Sequence, residues 1–140
     1  MRNCDDFQTL KQAYIMEIKR YTDEELAGIV QQIIARQYPS VELLNKAFGK
    51  RIKSLLKTQY KRGGKILSDV ALEPLALDTA NKIFPDLGEI SRGMIIRKLP
   101  DDLRDASYNT GVDLADYKEV LLALANERVL RFIKYKITGK

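Results

Sequence analysis

The sequence contains no histidine and no tryptophan, and it has a single cysteine, Cys4. Without histidine, the chain lacks the commonest general base and the commonest metal ligand of proteins. Cys4 cannot form an internal disulfide, and its neighbours Asp5 and Asp6 oppose formation of a reactive thiolate. These absences predict a protein that is not an enzyme, with no catalytic residues, no metal site and no cofactor.

Long apolar runs are also missing. The longest, VLLALA at 120–125, is far shorter than the roughly 18 residues that a membrane-spanning helix needs. The first residues, MRNCDDFQTLK, lack the apolar core of a secretory signal. We therefore expect a cytoplasmic protein with no integral membrane association.

Acidic residues are absent from one long segment, residues 43–68, which carries eight Lys or Arg. Because the whole chain has a net charge of only +5, the remainder is net acidic. Most of its acids fall in residues 69–116, which hold ten acids against five bases. Such segregation is typical of a protein that attracts an anionic partner or that associates through complementary surfaces, so homo-oligomerisation stays open.

The chain length and the apolar pattern predict the fold. A length of 140 residues is typical of one domain, and we predict a single helical domain over residues 1–140. Apolar residues recur at three- and four-residue steps along most of the sequence, which indicates amphipathic helices. The expected fold is mainly α, a single-domain bundle of five to seven helices, with a short C-terminal strand or hairpin as an alternative for the tail.

Capping signals place three helices in the first half. Thr22 and Glu25 have the spacing of a capping box, and the helix that they begin must end before Pro39. Ser40 can cap the next helix, and Gly63 can end it in the left-handed conformation. The three predicted helices cover approximately residues 7–21, 22–38 and 40–62.

The second half is less regular. Pro74 suits the first turn of a fourth helix that ends before FPDLG. Residues 93–99 fit a helix or a strand, and we favour a helix; Pro100 opens a further short helix. Asp113 caps the last helix, whose tail at 128–138 either stays helical or becomes a strand.

The acid-free segment is predicted to form an amphipathic helix. With about 100° between successive residues, five lysines fall on the side opposite the apolar stripe. Gly49, inside this helix, leaves a bend or a helix-turn-helix break open. The five lysines, called the lysine row below, are Lys46, Lys50, Lys53, Lys57 and Lys61. The predicted nucleic-acid-binding residues are these five together with Arg51, Arg62 and Lys65.

The lysine row predicts the function. Surface helices commonly alternate Glu with Lys at i, i+4, whereas a row of cations without acids is typical of phosphate contact. We therefore predict a non-enzymatic nucleic-acid-binding accessory or regulatory protein, or a ribonucleoprotein subunit, that contacts the DNA or RNA backbone. Tyr60 could stack on a base, and Arg128, Arg131 and Lys134 would extend the surface if the fold brings them close.

Three other interpretations stay open. One is a helical protein-protein interaction module, an inhibitor or scaffold subunit, that uses its segregated basic and acidic surfaces against a complementary protein; an acidic protein would be the partner of the basic surface. Another is contact of the basic surface with an anionic membrane. The third is a charged face that serves only solvation.

One short pattern resembles an enzyme signature but conflicts with the predicted helix. Pro100 and Asp101, followed by Asp116, Tyr117 and Lys118, resemble the PD…(D/E)xK arrangement of a large nuclease family, in which two carboxylates hold Mg²⁺ and the lysine assists the attacking water. In that family the second carboxylate and the lysine point the same way from a strand. Here the corresponding residues fall in a predicted helix, where positions i and i+2 diverge by about 200°.

Overall fold

The computed structural model describes residues 22–90, Asp101 and residues 117–140. These residues contain four α-helices, α1 (Asp23–Gln37), α2 (Val41–Arg62), α3 (Asp69–Ile83) and α4 (Tyr117–Thr138), and a 3-10 helix (Phe84–Glu89) directly after α3. No strand occurs among them. The mainly α class is confirmed, with four α-helices in the described part rather than the five to seven that were predicted for the whole chain.

The chain divides into two compact units. Of the described residues, those up to Ile34 and those from Ile90 to Arg128 belong to the first unit, and Ala35–Glu89 and Val129–Lys140 form the second. The single domain expected over residues 1–140 stays a prediction.

The first unit buries one side of α1 and most of the N-terminal part of α4. In α4 the buried positions include three consecutive residues, Ala123 to Ala125, so more than half of the helix circumference is buried there. The Gln31 side-chain amide donates a hydrogen bond of 2.6 Å to the backbone carbonyl of Ile90, so Ile90 is held against α1 within this unit. The buried apolar residues are Val30, Ile34, Ile90, Val120, Leu121, Ala123, Leu124 and Ala125.

The second unit is built on a helical hairpin. A connection of only six residues, 63–68, joins α2 to α3, and short connections make neighbouring helices antiparallel. Ala76 and Ala80 are buried on α3, where small side chains allow the helices to approach closely. The core residues are Leu44, Phe48, Ile52, Leu72, Ala76, Ala80, Ile83, Leu87, Val129, Phe132 and Ile133.

The predicted starts of α1 and α2 are confirmed. The Thr22 backbone N–H donates to Glu25 Oε1 at 3.2 Å, and the Glu25 N–H donates to Thr22 Oγ1 at 3.1 Å. The Ser40 hydroxyl accepts from the Leu43 N–H at 3.3 Å. Each bond satisfies an amide that has no partner inside its own helix.

The helix α2 ends at Arg62 as predicted, but the left-handed glycine lies one position later than predicted. Gly63 has φ −84°, and the left-handed residue is Gly64, with φ +88°. The Lys65 N–H donates to the Tyr60 carbonyl at 2.8 Å, and the Gly64 N–H donates to the Lys61 carbonyl at 3.0 Å. These two bonds form a Schellman motif, which requires the left-handed residue one position after the C-cap. The helix continues through Gly49, so neither a helix break nor a helix-turn-helix occurs there.

The fourth predicted helix begins earlier than expected. Ser68 caps α3 by accepting from the Ala71 N–H at 3.2 Å, so Pro74 lies inside the helix instead of in its first turn. Proline has no N–H, which leaves the Val70 carbonyl without its helical donor. Val70 lies on the exposed side of α3, where water can replace that donor.

The tail of the chain is helical. The strand alternative for residues 128–138 is wrong, since α4 runs to Thr138. Val129, Phe132 and Ile133 are buried at helical spacing, whereas an alternating strand pattern would also have buried Tyr135, which is 58% exposed. Several predictions lie outside the described residues. They are the helices over 7–21 and 93–99, the cap at Asp113, and the short helix after Pro100, of which only Asp101 is described.

Tyr38 makes the stability of the second unit sensitive to alkaline pH. Its ring lies 5.1 Å from that of Phe48, and burial raises its pKa above the ordinary value of 10.0. The folded protein thus holds this proton more tightly than the unfolded chain, so stability is retained below about pH 10 and falls as the pH rises further.

We expect Tyr38→Phe to lose less stability than the wild type between about pH 9 and about pH 11. Urea denaturation at both pH values, followed by circular dichroism, measures the difference. An equal loss in both proteins would contradict this role for Tyr38.

Candidate nucleic-acid interface

The eight predicted phosphate-binding residues lie on or directly after α2. Seven belong to the helix, and Lys65, the last residue of the Schellman motif, lies in the connection to α3. All except Lys53 are exposed. The predicted amphipathic character of α2 is therefore present, because its buried residues Leu44, Phe48 and Ile52 lie on the other side of the helix.

The lysine row is a narrow band on α2. Its members are separated by three or four residues, so they fall within roughly 80° around the helix axis. At about 1.5 Å per residue, the row from Lys46 to Lys61 is roughly 22 Å long. Neighbouring lysines along it are therefore attached about 4.5–6 Å apart in the axial direction.

Arg51 and Arg62 do not belong to this band. From their positions in the helix they lie more than about 100° from the centre of the lysine row, on the other flank of α2. Tyr60 is half-buried, and its backbone carbonyl accepts the hydrogen bond from Lys65. The structure thus brings the five lysines together and leaves the two arginines on a separate flank.

Lys53 is neutralised by an acid from α3. Its ammonium group forms an ion pair with the Glu73 carboxylate, and the two side chains are 27% and 62% exposed. An exposed pair of this kind stabilises the fold by at most about 1 kcal/mol. The ion pair has a larger local consequence, since it places a carboxylate beside the middle lysine of the row. In the described part of the chain, none of the other seven predicted residues forms an ion pair.

Glu73 was not predicted from the sequence. It lies twenty residues from Lys53, and only the register of the α2–α3 hairpin brings the two together. The available signal was indirect: Glu73 is an acid near the start of the helix that follows a short connection. The free cations of the row are therefore Lys46, Lys50, Lys57 and Lys61.

The side of α3 that carries Glu73 also borders the row. Val70 and Leu77 are three residues before and four residues after Glu73, which places all three on one side of α3. Val70 is 82% exposed and Leu77 is 42% exposed. Because Glu73 reaches Lys53, this aliphatic side of α3 lies next to the lysine row.

Of the three C-terminal cations that were expected to extend the surface, Arg128, Arg131 and Lys134, only Lys134 is exposed. Arg128 is 7% exposed, so it cannot contribute to a surface as the sequence had suggested. Arg131 is half-buried and engages another group, whereas Lys134 is exposed. The Gln59 side-chain amide donates to the Ile137 carbonyl at 3.3 Å, which fixes the last turns of α4 to α2.

Lys136 is engaged within the second unit. Its ammonium group lies 2.9 Å from Asp86 Oδ2 and 5.3 Å from the centre of the Phe132 ring. The hydrogen bond to Asp86 raises the pKa of Lys136 above its ordinary value of 10.5. This lysine holds the 3-10 segment against α4 and is not a free cation.

The nuclease-like residues are only partly described. Lys118 lies in the first turn of α4 and is exposed, whereas Pro100 and Asp116 lie outside the described residues. Among the residues that the structure places, no group of three or more His, Cys, Asp or Glu is arranged to hold a metal ion. None of the described helices is both long enough and apolar enough to cross a bilayer.

No protein-family model, no curated protein and no solved structure matches the chain.

Proposed function

We propose that the protein binds nucleic acid without catalysing a reaction, as an accessory or regulatory factor or as a subunit of a ribonucleoprotein. The observation that supports this proposal is the lysine row, four of whose five ammonium groups are exposed and unpaired among the described residues. Phosphates along a nucleic-acid strand offer anions in a comparable linear series.

The cost of the row supports a function for it. Lys46 and Lys50 are four residues apart, as are Lys57 and Lys61, and like charges at this spacing each destabilise a helix by about 0.2–0.5 kcal/mol. A face used only for solvation avoids this cost by interleaving glutamate. Bound phosphates remove this repulsion and release counterions, and both effects favour binding of nucleic acid to the row.

Salt dependence tests the proposal. Four phosphate contacts predict a slope of log K against log salt of about −3.6 for duplex DNA and about −2.8 for a single strand. Fluorescence anisotropy of labelled oligonucleotides, titrated with the protein at several salt concentrations, measures both slopes. Absent or salt-insensitive binding would refute the proposal and would support the protein-interaction module instead.

A further inference from the structure

The face that carries the lysine row has a second row beside it, formed by exposed aliphatic side chains. Val70 and Leu77 lie on the side of α3 that the Lys53–Glu73 ion pair holds against α2. Ile66, four residues before Val70, lies in the connection between the helices and is 83% exposed. These three residues are called the aliphatic row below.

The two rows run side by side along one hairpin. Packed helices have axes about 8–10 Å apart. The Lys53–Glu73 ion pair joins the two helices on this side, so the lysines of α2 and the aliphatic side chains of α3 border the same side of the hairpin. Phosphate contact explains the lysines but leaves the aliphatic row without a role. Exposed β-branched side chains such as Ile66 and Val70 offer no hydrogen bond, and they gain free energy only by covering apolar surface.

We propose that this hairpin face binds single-stranded rather than duplex nucleic acid, an inference that rests on the proposed function. In a duplex the bases are stacked inside and the phosphates face outward, so a row of aliphatic side chains beside the phosphate contacts would find little apolar surface. A single strand presents its phosphates along one side and unstacked base faces along the other. The lysine row fits the phosphates, and the aliphatic row fits the bases.

The charges on α3 fix the orientation of the strand. Glu73 lies between the two rows, and Asp69 and Asp78 are exposed on the same helix. These carboxylates repel phosphates from α3 and confine them to the α2 side. Aliphatic side chains cover any base without reading its hydrogen-bonding edge, so the binding is expected to tolerate sequence changes.

The experiment compares a labelled single strand with its own duplex and measures both affinities by anisotropy at one salt concentration. We expect the single strand to bind about tenfold more tightly, because only unstacked bases can cover the aliphatic side chains. The double variant Ile66→Ser, Val70→Ser should lose about tenfold in affinity for the single strand and less than about twofold for the duplex. Tyr135→Ser, which removes an exposed aromatic side chain from α4, is the control and should change neither affinity.

The possible outcomes separate this inference from the proposed function. If neither nucleic acid binds, the proposed function fails and this inference fails with it. If both bind with a steep salt dependence and equal affinity, or if the double variant leaves single-strand binding unchanged, only the single-strand inference is overturned. Vesicles of phosphatidylserine serve as a third ligand. If the protein binds the vesicles more tightly than the single strand, and if the double variant abolishes this binding, the aliphatic row contacts a lipid surface. That result would also overturn the single-strand inference.

Discussion

The double variant Lys50→Glu, Lys57→Glu is expected to lose at least about a hundredfold in affinity for nucleic acid. Each lysine is taken to make one charge-assisted phosphate contact, worth about 1.5–3 kcal/mol, and two such losses exceed a factor of one hundred. The new carboxylates also repel the phosphates that remain near Lys46 and Lys61. The salt slope should decrease in magnitude by about two. Anisotropy titrations over a range of salt concentrations measure both effects.

The fold is expected to survive this change. Both side chains are exposed on the side of α2 opposite its buried residues. Glutamate at position 50 stands four residues after Lys46, and glutamate at position 57 stands four residues before Lys61, which replaces repulsion by attraction. Helical circular dichroism should therefore be unchanged, so that lost binding reports on the charges and not on unfolding.

Matched controls separate the position of the charges from their number. Lys82→Glu with Lys140→Glu changes the net charge equally at exposed residues outside the lysine row, and we expect at most a few-fold loss of affinity. Glu73→Gln should change the affinity in the opposite direction. It releases Lys53 from its ion pair, so binding to nucleic acid should become stronger. If the Lys82→Glu, Lys140→Glu variant loses as much affinity as the Lys50→Glu, Lys57→Glu variant, binding depends on the net charge of the protein and not on the lysine row.

Much of α2 could be predicted because its signals are local. The Ser40 cap, the period of its apolar residues and the glycine pair at its end all lie within or beside the helix. The lysine row follows from the same periodicity, since the position of a side chain around a helix depends only on sequence separation. The capping box of α1, formed by Thr22 and Glu25, was predictable for the same reason.

The remaining features depend on tertiary structure. The ion pair between Lys53 and Glu73 requires the register of two packed helices, which no local pattern contains. The helical tail was ambiguous because Ile133 and Tyr135 fit a strand as well as a helix, and only the core of the second unit selects the helix. The burial of Arg128 likewise arises from the packing around α4 rather than from its sequence neighbours.

Removing a buried side chain beneath the lysine row should cost more stability than any surface change described above. Ile52 is 0% exposed in the core of the second unit. Truncation to alanine removes apolar contacts and leaves a cavity, which costs about 2–5 kcal/mol for an isoleucine. Total stabilities of domains are about 5–15 kcal/mol, so the loss is a large part of what holds the folded state.

Ile66 provides a matched comparison for this prediction. It is the same residue type and belongs to the same unit, but it is 83% exposed, so Ile66→Ala should change stability by no more than about 0.5 kcal/mol. Urea denaturation of both variants, followed by helical circular dichroism, gives the two free energies of unfolding. Similar small losses would show that the side of α2 opposite the lysines is not packed in a core. The lysine row would then lack the rigid support that keeps its cations on one face, because their alignment depends on α2 being held by this buried side.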